Sequence, residues 1–281
     1  MHSGVHIADE AVQKFISDGF ASMKIPDPMR DDLRALFCAG HDFFNAAIEE
    51  KRLNQLPLDT GYRPKGIEYS DSPDHPDEME SFSITRRLPG AEAGLHSGSA
   101  KLLYSRMSKF IRLLEPYAER LISSVAMKVT GTLLNQDMDG AFSKWSLLQM
   151  NYSRPADIRA DYINDCHEDG CLITITAVTG PGLELKSAGG SFIPVSPKDD
   201  ELLLMSGEIL SLLSGGKIPP TYHRVRPIAK NTERLSLLFF GDIDPALCKP
   251  WIVNDTNANI DIGDRVLNNS TRFGLAKWDP E

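Results

Sequence analysis

Apolar positions along this chain follow two different periods, and the change falls near residue 143. Ahead of it the spacing is helical. In IADEAVQKFISDG, Val12, Phe15 and Ile16 recur at helical spacing and Gly19 supplies a stop signal. DPMRDDLRALFCAGHDFFNAAIEEK reads as a longer amphipathic helix starting near Asp27, with Pro28 suited to its first turn. KLLYSRMSKFIRLLEPYAERLISSVAMKV is the longest helical pattern, with Leu102, Met107, Ile111, Leu114 and Tyr117 broadly on one stripe and Pro116 placed to interrupt it. Between these helices, residues 57–96 are rich in Pro, Gly, Asp and Ser and read as loops around one short strand, MESFSITRRL.

Past residue 143 the pattern becomes short apolar or alternating runs punctuated by Gly, Pro and Asp: SLLQMNYS, CLITITAV, GLELK, FIPVS, ELLLMSG and RLSLLFFG. Strands at this spacing predict a sandwich or barrel of the jelly-roll kind, not a parallel sheet, with the early helices packed on one face. MSGEILSLLSGG predicts a strand, a turn and a short amphipathic helix. The fold class is therefore α+β and β-rich, organised as one domain over residues 1–281. Residues 1–142 give mainly helical support and substrate loops, 143–244 the jelly-roll core, and 245–281 a tail. That tail carries Trp251, Phe273 and Trp278 and is a candidate lid.

Composition narrows the function classes. A formal net charge of −9 argues against nucleic-acid and anionic-membrane partners and leaves a small molecule, a cation included. The four cysteines show no C-x-x-C spacing, which argues against a disulfide framework or a zinc ribbon. No basic-then-apolar leader opens the sequence and no apolar run reaches the ~18 residues of a membrane span. A cytoplasmic setting is the expectation.

The candidate chemistry lies in NDCHEDGCLITI. Residues two apart on a strand share a face, so His167 and Asp169 can present an imidazole and a carboxylate to one point. His223 in PPTYHRVRP is the best-placed further ligand. Two imidazoles and a carboxylate leave open positions opposite, the arrangement of non-haem Fe(II) oxygenases; a hydrolytic zinc site uses the same ligand types, and a satisfied surface pair is the bland alternative. In ERLSLLFFG, Arg234 and Ser236 share a face of an otherwise apolar strand. A guanidinium there can hold a carboxylate through two parallel hydrogen bonds, with the hydroxyl adding a third.

Taken in order, these segments resemble the 2-oxoglutarate/Fe(II) dioxygenase superfamily, specifically its isopenicillin N synthase-like branch. SDGFASMKIPDPMRDDLRALFCAGHDFFNAAIEEK is similar to its early strand and helix, and TGYRPKGIEYSDSPDHPDEMESFSI to its Gly-Tyr loop and Glu-Ser-Phe strand. LLQMNYSRP, HEDGCLITI, PGLELK, FIPVSPKDDELLLMSGEILSLLSGGKIPPTYHRV and RLSLLFF follow in the family's order. The resemblance implies a double-stranded β-helix core in which His167, Asp169 and His223 hold Fe(II). It implies 2-oxoglutarate as co-substrate, with its distal carboxylate on Arg234 and Ser236, and Asn151 as a further contact. O₂ would decarboxylate it to succinate and CO₂, yielding an oxidant for hydroxylation, desaturation, cyclisation or epoxidation of a small molecule, in secondary metabolism. One departure is that the family's Asn-Tyr-Tyr reads NYS here, so Ser153 stands where a co-substrate tyrosine is usual. Gln149 and Ser153 share the face of Asn151 as a polar pocket wall, and Tyr152 points the other way. Arg86 and Arg87, in TRRLPG, are candidates for gripping a substrate carboxylate. Cys166 and Cys171 bracket the motif and read as small hydrophobes, not ligands. The alternatives are an oxidase of the same fold that does not use 2-oxoglutarate, and a non-catalytic metal-dependent binding or sensing protein.

Overall fold

Gly19 closes the first helix where the sequence places its stop: α1 (Asp9–Asp18) buries Val12 and Phe15 and ends on a φ of 82°, the left-handed cap that glycine adopts without steric cost. The computed structural model describes residues 7–132, 140–142, 144–154, 160–227 and 233–277. After β1 (Phe20–Lys24) comes α2 (Asp27–Phe44), shorter than its sequence pattern. Asn45 ends it, its side-chain amide donating to the His41 carbonyl at 3.0 Å, which satisfies an orphan acceptor of the last turn. A separate helix, α3 (Ile48–Arg52), takes up the remainder.

Residues 57–96 hold more regular structure than their composition suggests. Besides β4 (Glu80–Thr85) they contain β3 (Thr60–Arg63), which pairs with β2 (Gln55–Leu56) just ahead of it. Both are too short for an alternating pattern to declare itself. α4 (Gly98–Thr130) runs through Pro116 without a break. Leu103, Met107, Ile111, Leu114, Tyr117 and Leu121 are all buried, so core packing on both sides holds the helix across the missing N–H. Leu102, expected on that stripe, is 46% exposed.

The second half supplies β5 (Leu147–Ser153), β6 (Asn164–His167), β7 (Ile173–Val178), β8 (Leu183–Lys186), β9 (Phe192–Pro194), β10 (Glu201–Ser206), β11 (His223–Val225) and β12 (Arg234–Gly241). α5 (Glu208–Leu213) and α6 (Ile262–Asn268) complete the regular elements. One antiparallel sheet has the order β1-β10-β7-β12-β5-β4-β3-β2 and the other β6-β11-β8-β9, the two layers of a jelly roll. Four of the eight strands in the larger sheet thus come from the half of the chain read as helical support.

Alternation along β5 separates scaffold from site. Met150 approaches Gly40 of α2 so closely that a Cβ there would lie 2.1 Å from its sulfur. Tyr152 stacks on Phe44 of the same helix, with ring centroids 5.1 Å apart and planes 8° from parallel. Gln149 and Asn151 face the opposite way, into a cavity between the sheets. Phe43 adds edge contacts to Phe82 and Tyr62 at 5.0 and 5.9 Å. This aromatic cluster fixes the strands that carry the polar side chains. Phe44→Ala is expected to cost about 3–5 kcal/mol, read as a lower urea midpoint; a loss below about 1 kcal/mol would show that the cluster does not bear on stability.

Candidate active site

His223 opens β11 and His167 closes β6, and the two are direct cross-strand partners in the smaller sheet. Their rings lie 4.3 Å apart, centroid to centroid. The strand therefore precedes the His-x-Asp motif: Asp169 is not on a strand with His167, as the period-two reading expects, but in the turn leading to β7. Gly207, the residue before α5, leaves room for that turn. A Cβ there would lie 2.0 Å from the Cys171 carbonyl oxygen and 2.8 Å from that of Asp169. The Asp169 carbonyl also accepts the Glu208 amide at 2.8 Å. The turn brings Asp169 Oδ1 to 3.6 Å from His167 Nε2 and 3.8 Å from His223 Nε2. Among the described residues, these three form the cluster of potential ligands whose donor atoms all lie within 4.8 Å of one another.

The surroundings orient each donor outward from its backbone. Nδ1 of His167 lies 2.7 Å from the Asp165 carbonyl and Nδ1 of His223 lies 3.1 Å from that of Thr221. Both Nδ1 atoms must carry the hydrogen, so the Nε2 lone pairs face Asp169. Thr174 donates to Asp169 Oδ2 and leaves Oδ1 for a cation. Burial, with the neighbouring His223 adding to it, pulls the His167 imidazole down to about 4. Two imidazole nitrogens and a buried carboxylate are the donor set of a divalent metal.

Across the cavity, Arg234 is 7% exposed. Its Nη1 donates to Ser236 Oγ, its Nε has no partner, and no carboxylate of the described residues lies within ion-pair distance. Burial alone brings its pKa down to about 10. An uncompensated buried guanidinium is costly, so this site fits an incoming carboxylate. Ser236 lies opposite Asn151 in the ladder, and Arg234, Ser236, Asn151 and Gln149 all line the cavity.

Other sequence-named residues lie elsewhere. Ser153 is buried opposite Arg234 in the ladder and is not among the residues that line the cavity. Arg86 is bound to Glu115 of α4 at 2.6 Å, and the Arg87 guanidinium sits 4.4 Å above the Trp145 ring. Neither is among the described residues that line the cavity, although Trp145, beneath Arg87, is. Cys166 is exposed; Cys171 is buried with its sulfur 3.3 Å from the Thr174 hydroxyl, and neither joins the ligand cluster. In the tail, Phe273 lines the cavity with its ring 6.1 Å from that of His167. Trp251 packs on the core and Trp278 lies outside the described residues.

Sequence reasoning missed the polar group at the other end of the cavity: Arg63, Glu68 and Asp77. No local signal marks them: β3 is too short to show its alternation, and the burial of Tyr62 beside Arg63 appears only in the folded strand.

The family model of the 2OG-Fe(II) oxygenase superfamily matches residues 144–242. The 2-oxoglutarate-dependent dioxygenase ecdG of Aspergillus rugulosus is 27% identical over 236 residues, 77% of this chain and 69% of the relative. The 2-oxoglutarate-dependent dioxygenase AOP3 of Arabidopsis thaliana is 36% identical over 61 residues, but these make up 22% of this chain and 15% of the relative. A full-length Neurospora crassa protein crystallised in complex with alpha-KG superposes with a TM-score of 0.73 at 18% identity, covering 92% of this chain and 89% of the other. The JOX2 complex with 2OG, Fe and JA gives a TM-score of 0.68 at 16% identity, over 85% and 71% of the two chains.

Two outcomes follow from this geometry. Gly207→Ala must displace the Asp169–Cys171 backbone; it is expected to lower stability by about 1–3 kcal/mol and to weaken ferrous binding, measured by urea unfolding and metal titration. The unfolded chain protonates His167 near 6.5, the folded one near 4. Protons in that window favour the unfolded state, so the metal-free protein should lose stability as pH falls through it, and His167→Gln should flatten that slope.

Proposed function

We infer what this chain does from one premise, that it belongs to the 2-oxoglutarate/Fe(II) oxygenase superfamily; the similarity is consistent with the isopenicillin N synthase-like branch. It is an Fe(II)/2-oxoglutarate-dependent dioxygenase that oxidises a small molecule and releases succinate and CO₂, acting in secondary metabolism. Bound Fe(II) supplies the redox centre at which O₂ is reduced at the expense of 2-oxoglutarate. We assign its binding to His167, Asp169 and His223, and the distal carboxylate of 2-oxoglutarate to Arg234 and Ser236 with Asn151 beside them.

The observation that carries this reading is that the buried Arg234 guanidinium, in the same cavity as the three donors, has no carboxylate partner among the described residues. Each residue has a defined task. His167 and His223 present Nε2 because their Nδ1 hydrogens are held by backbone carbonyls. Asp169 keeps one oxygen free because Thr174 takes the other. Arg234 turns a dianion to one orientation through its planar fork, and Ser236 shares that carboxylate. Phe273 narrows the water path beside His167.

An oxidase that does without 2-oxoglutarate would use Arg234 for a substrate carboxylate, but the curated relatives are named 2-oxoglutarate-dependent. A binding-only protein would need no open cavity beside the donors, and this one has it.

Succinate release should require both Fe(II) and 2-oxoglutarate. Arg234→Met should raise the Kd for 2-oxoglutarate at least about 30-fold, since truncating one partner of a buried charge pair costs roughly 2 kcal/mol or more. Calorimetry on the anaerobic, iron-loaded protein measures this. The reading falls if wild-type protein binds no 2-oxoglutarate and His167→Ala retains normal Fe(II) affinity.

A further inference from the structure

We propose that the cavity is built for an uncharged or amine-bearing substrate and rejects carboxylates, with Glu68 as the residue that sets this preference. The proposal rests on the reading of Arg234 as the seat of 2-oxoglutarate.

One row of side chains crosses four strands of the larger sheet. Ser236 of β12 lies opposite Asn151 of β5, Asn151 opposite Ser81 of β4, and Ser81 opposite Arg63 of β3. Arg234 and Arg63 bracket the row, and among the described residues that line the cavity they are the only cations outside the histidines. Their states are opposite. Arg234 is open, as described above. Arg63 is consumed: Nε donates to Glu68 Oε1 at 2.8 Å, Nη1 to Ser83 Oγ at 2.7 Å and to the Asp59 carbonyl, and Nη2 to Gln149 Oε1. Glu68 in turn accepts from Ser81 Oγ, and from Gln149 Nε2 at 2.9 Å. Burial works to raise the Glu68 carboxyl, but Arg63 and these hydrogen bonds outweigh it and hold it below its usual value. The ion pair therefore stays charged and internally neutral. No edge of the Arg63 fork is left for a second carboxylate.

The other Asp, Glu, Lys and Arg side chains that line the cavity away from the ligand cluster are carboxyls. Asp77 is bound by Ser70 at 2.8 Å and by Asn164 at 2.9 Å, and Asp242 by the Leu172 amide at 2.8 Å. Neither has a cation within ion-pair distance among the described residues, and burial pushes both carboxyls up, Asp77 to about 7. With Fe(II) and Arg234 offset by Asp169 and the 2-oxoglutarate dianion, no cation of the described lining residues is left to neutralise a substrate carboxylate. Such a group would sit unpaired near Glu68 and Asp77 in a poorly solvated space, which is strongly unfavourable. An amide or hydroxyl meets hydrogen-bonding partners instead, and an ammonium meets Asp77. Leu58, Met79, Phe273 and Leu275 provide apolar wall for the rest of the molecule.

The test uses three probes on one skeleton: phenylacetamide, phenethylamine and phenylacetate. Each is titrated into anaerobic, iron-loaded protein saturated with 2-oxoglutarate, after the 2-oxoglutarate isotherm has been recorded on the same sample. The amide and the amine should bind at least about tenfold more tightly than the acid. In Glu68→Gln, Arg63 is released and the affinity for phenylacetate should rise about tenfold or more, while 2-oxoglutarate affinity stays within about twofold of wild type. A missing 2-oxoglutarate isotherm would overturn the function itself. A normal isotherm followed by phenylacetate binding as tightly as phenylacetamide would overturn the substrate class alone. Unchanged discrimination in a folded Glu68→Gln would remove Glu68 from the role. The wild-type comparison decides the substrate class even where that variant does not fold.

Discussion

The direct pairing of His167 with His223 across β6 and β11 is the contact on which the rest of this molecule depends. Strand pairing fixes two imidazoles at neighbouring points of one sheet although they are far apart in sequence. A slip by one residue would send one of them to the opposite face, so the ladder, not the side chains, sets the geometry. Asp169 can join them only because the chain bends at once after β6, and it bends there because Gly207 has no side chain to obstruct it. Three donors thus converge through strand pairing, a tight turn and the Thr174 hydrogen bond, before any cation is considered.

The same logic governs the charges. Arg63 and Arg234 are both buried and both face one cavity, yet one is enclosed by acceptors and the other has no counter-ion among the described residues. Fixed positive charge without a partner is tolerated in a folded protein where a ligand completes it. Fixed positive charge with a partner serves the structure, here by tying β3, β4 and β5 together through Ser83, Gln149 and Glu68. The difference between the two arginines is a difference of neighbours: one guanidinium is engaged by acceptors, and the other keeps its Nε without a partner.

Much of this was legible in the sequence. The strands after residue 143 announce themselves by apolar runs between turn residues, and the ligand types appear as His-x-Asp, a distant His and Arg-x-Ser. What escaped was decided by long-range contacts. Nothing local in RPKGIEYS says that Arg63 will meet Glu68 or that both will meet Gln149, because the meeting depends on strand order. Arg86 and Arg87 looked available because a pair of arginines after a strand has no visible partner; Glu115 and Trp145 become their neighbours only when α4 and β5 are in place. The strand position of Asp169 was misjudged for a related reason: the β-branched run that follows it belongs to β7, in the other sheet.

Glu168, the residue between the first two donors, forms an ion pair with Arg272 of the tail at 3.2 Å, while Arg272 also pairs with Glu208. The spacer of the His-x-Asp motif is thus a hasp for the segment that carries Phe273. Glu168, Glu208 and Arg272 thus anchor a cavity-lining segment, and none of the three belongs to the ligand cluster. The tail is fastened through the spacer of the motif, so the wall of the chamber and its donor atoms are held by adjacent residues with different partners.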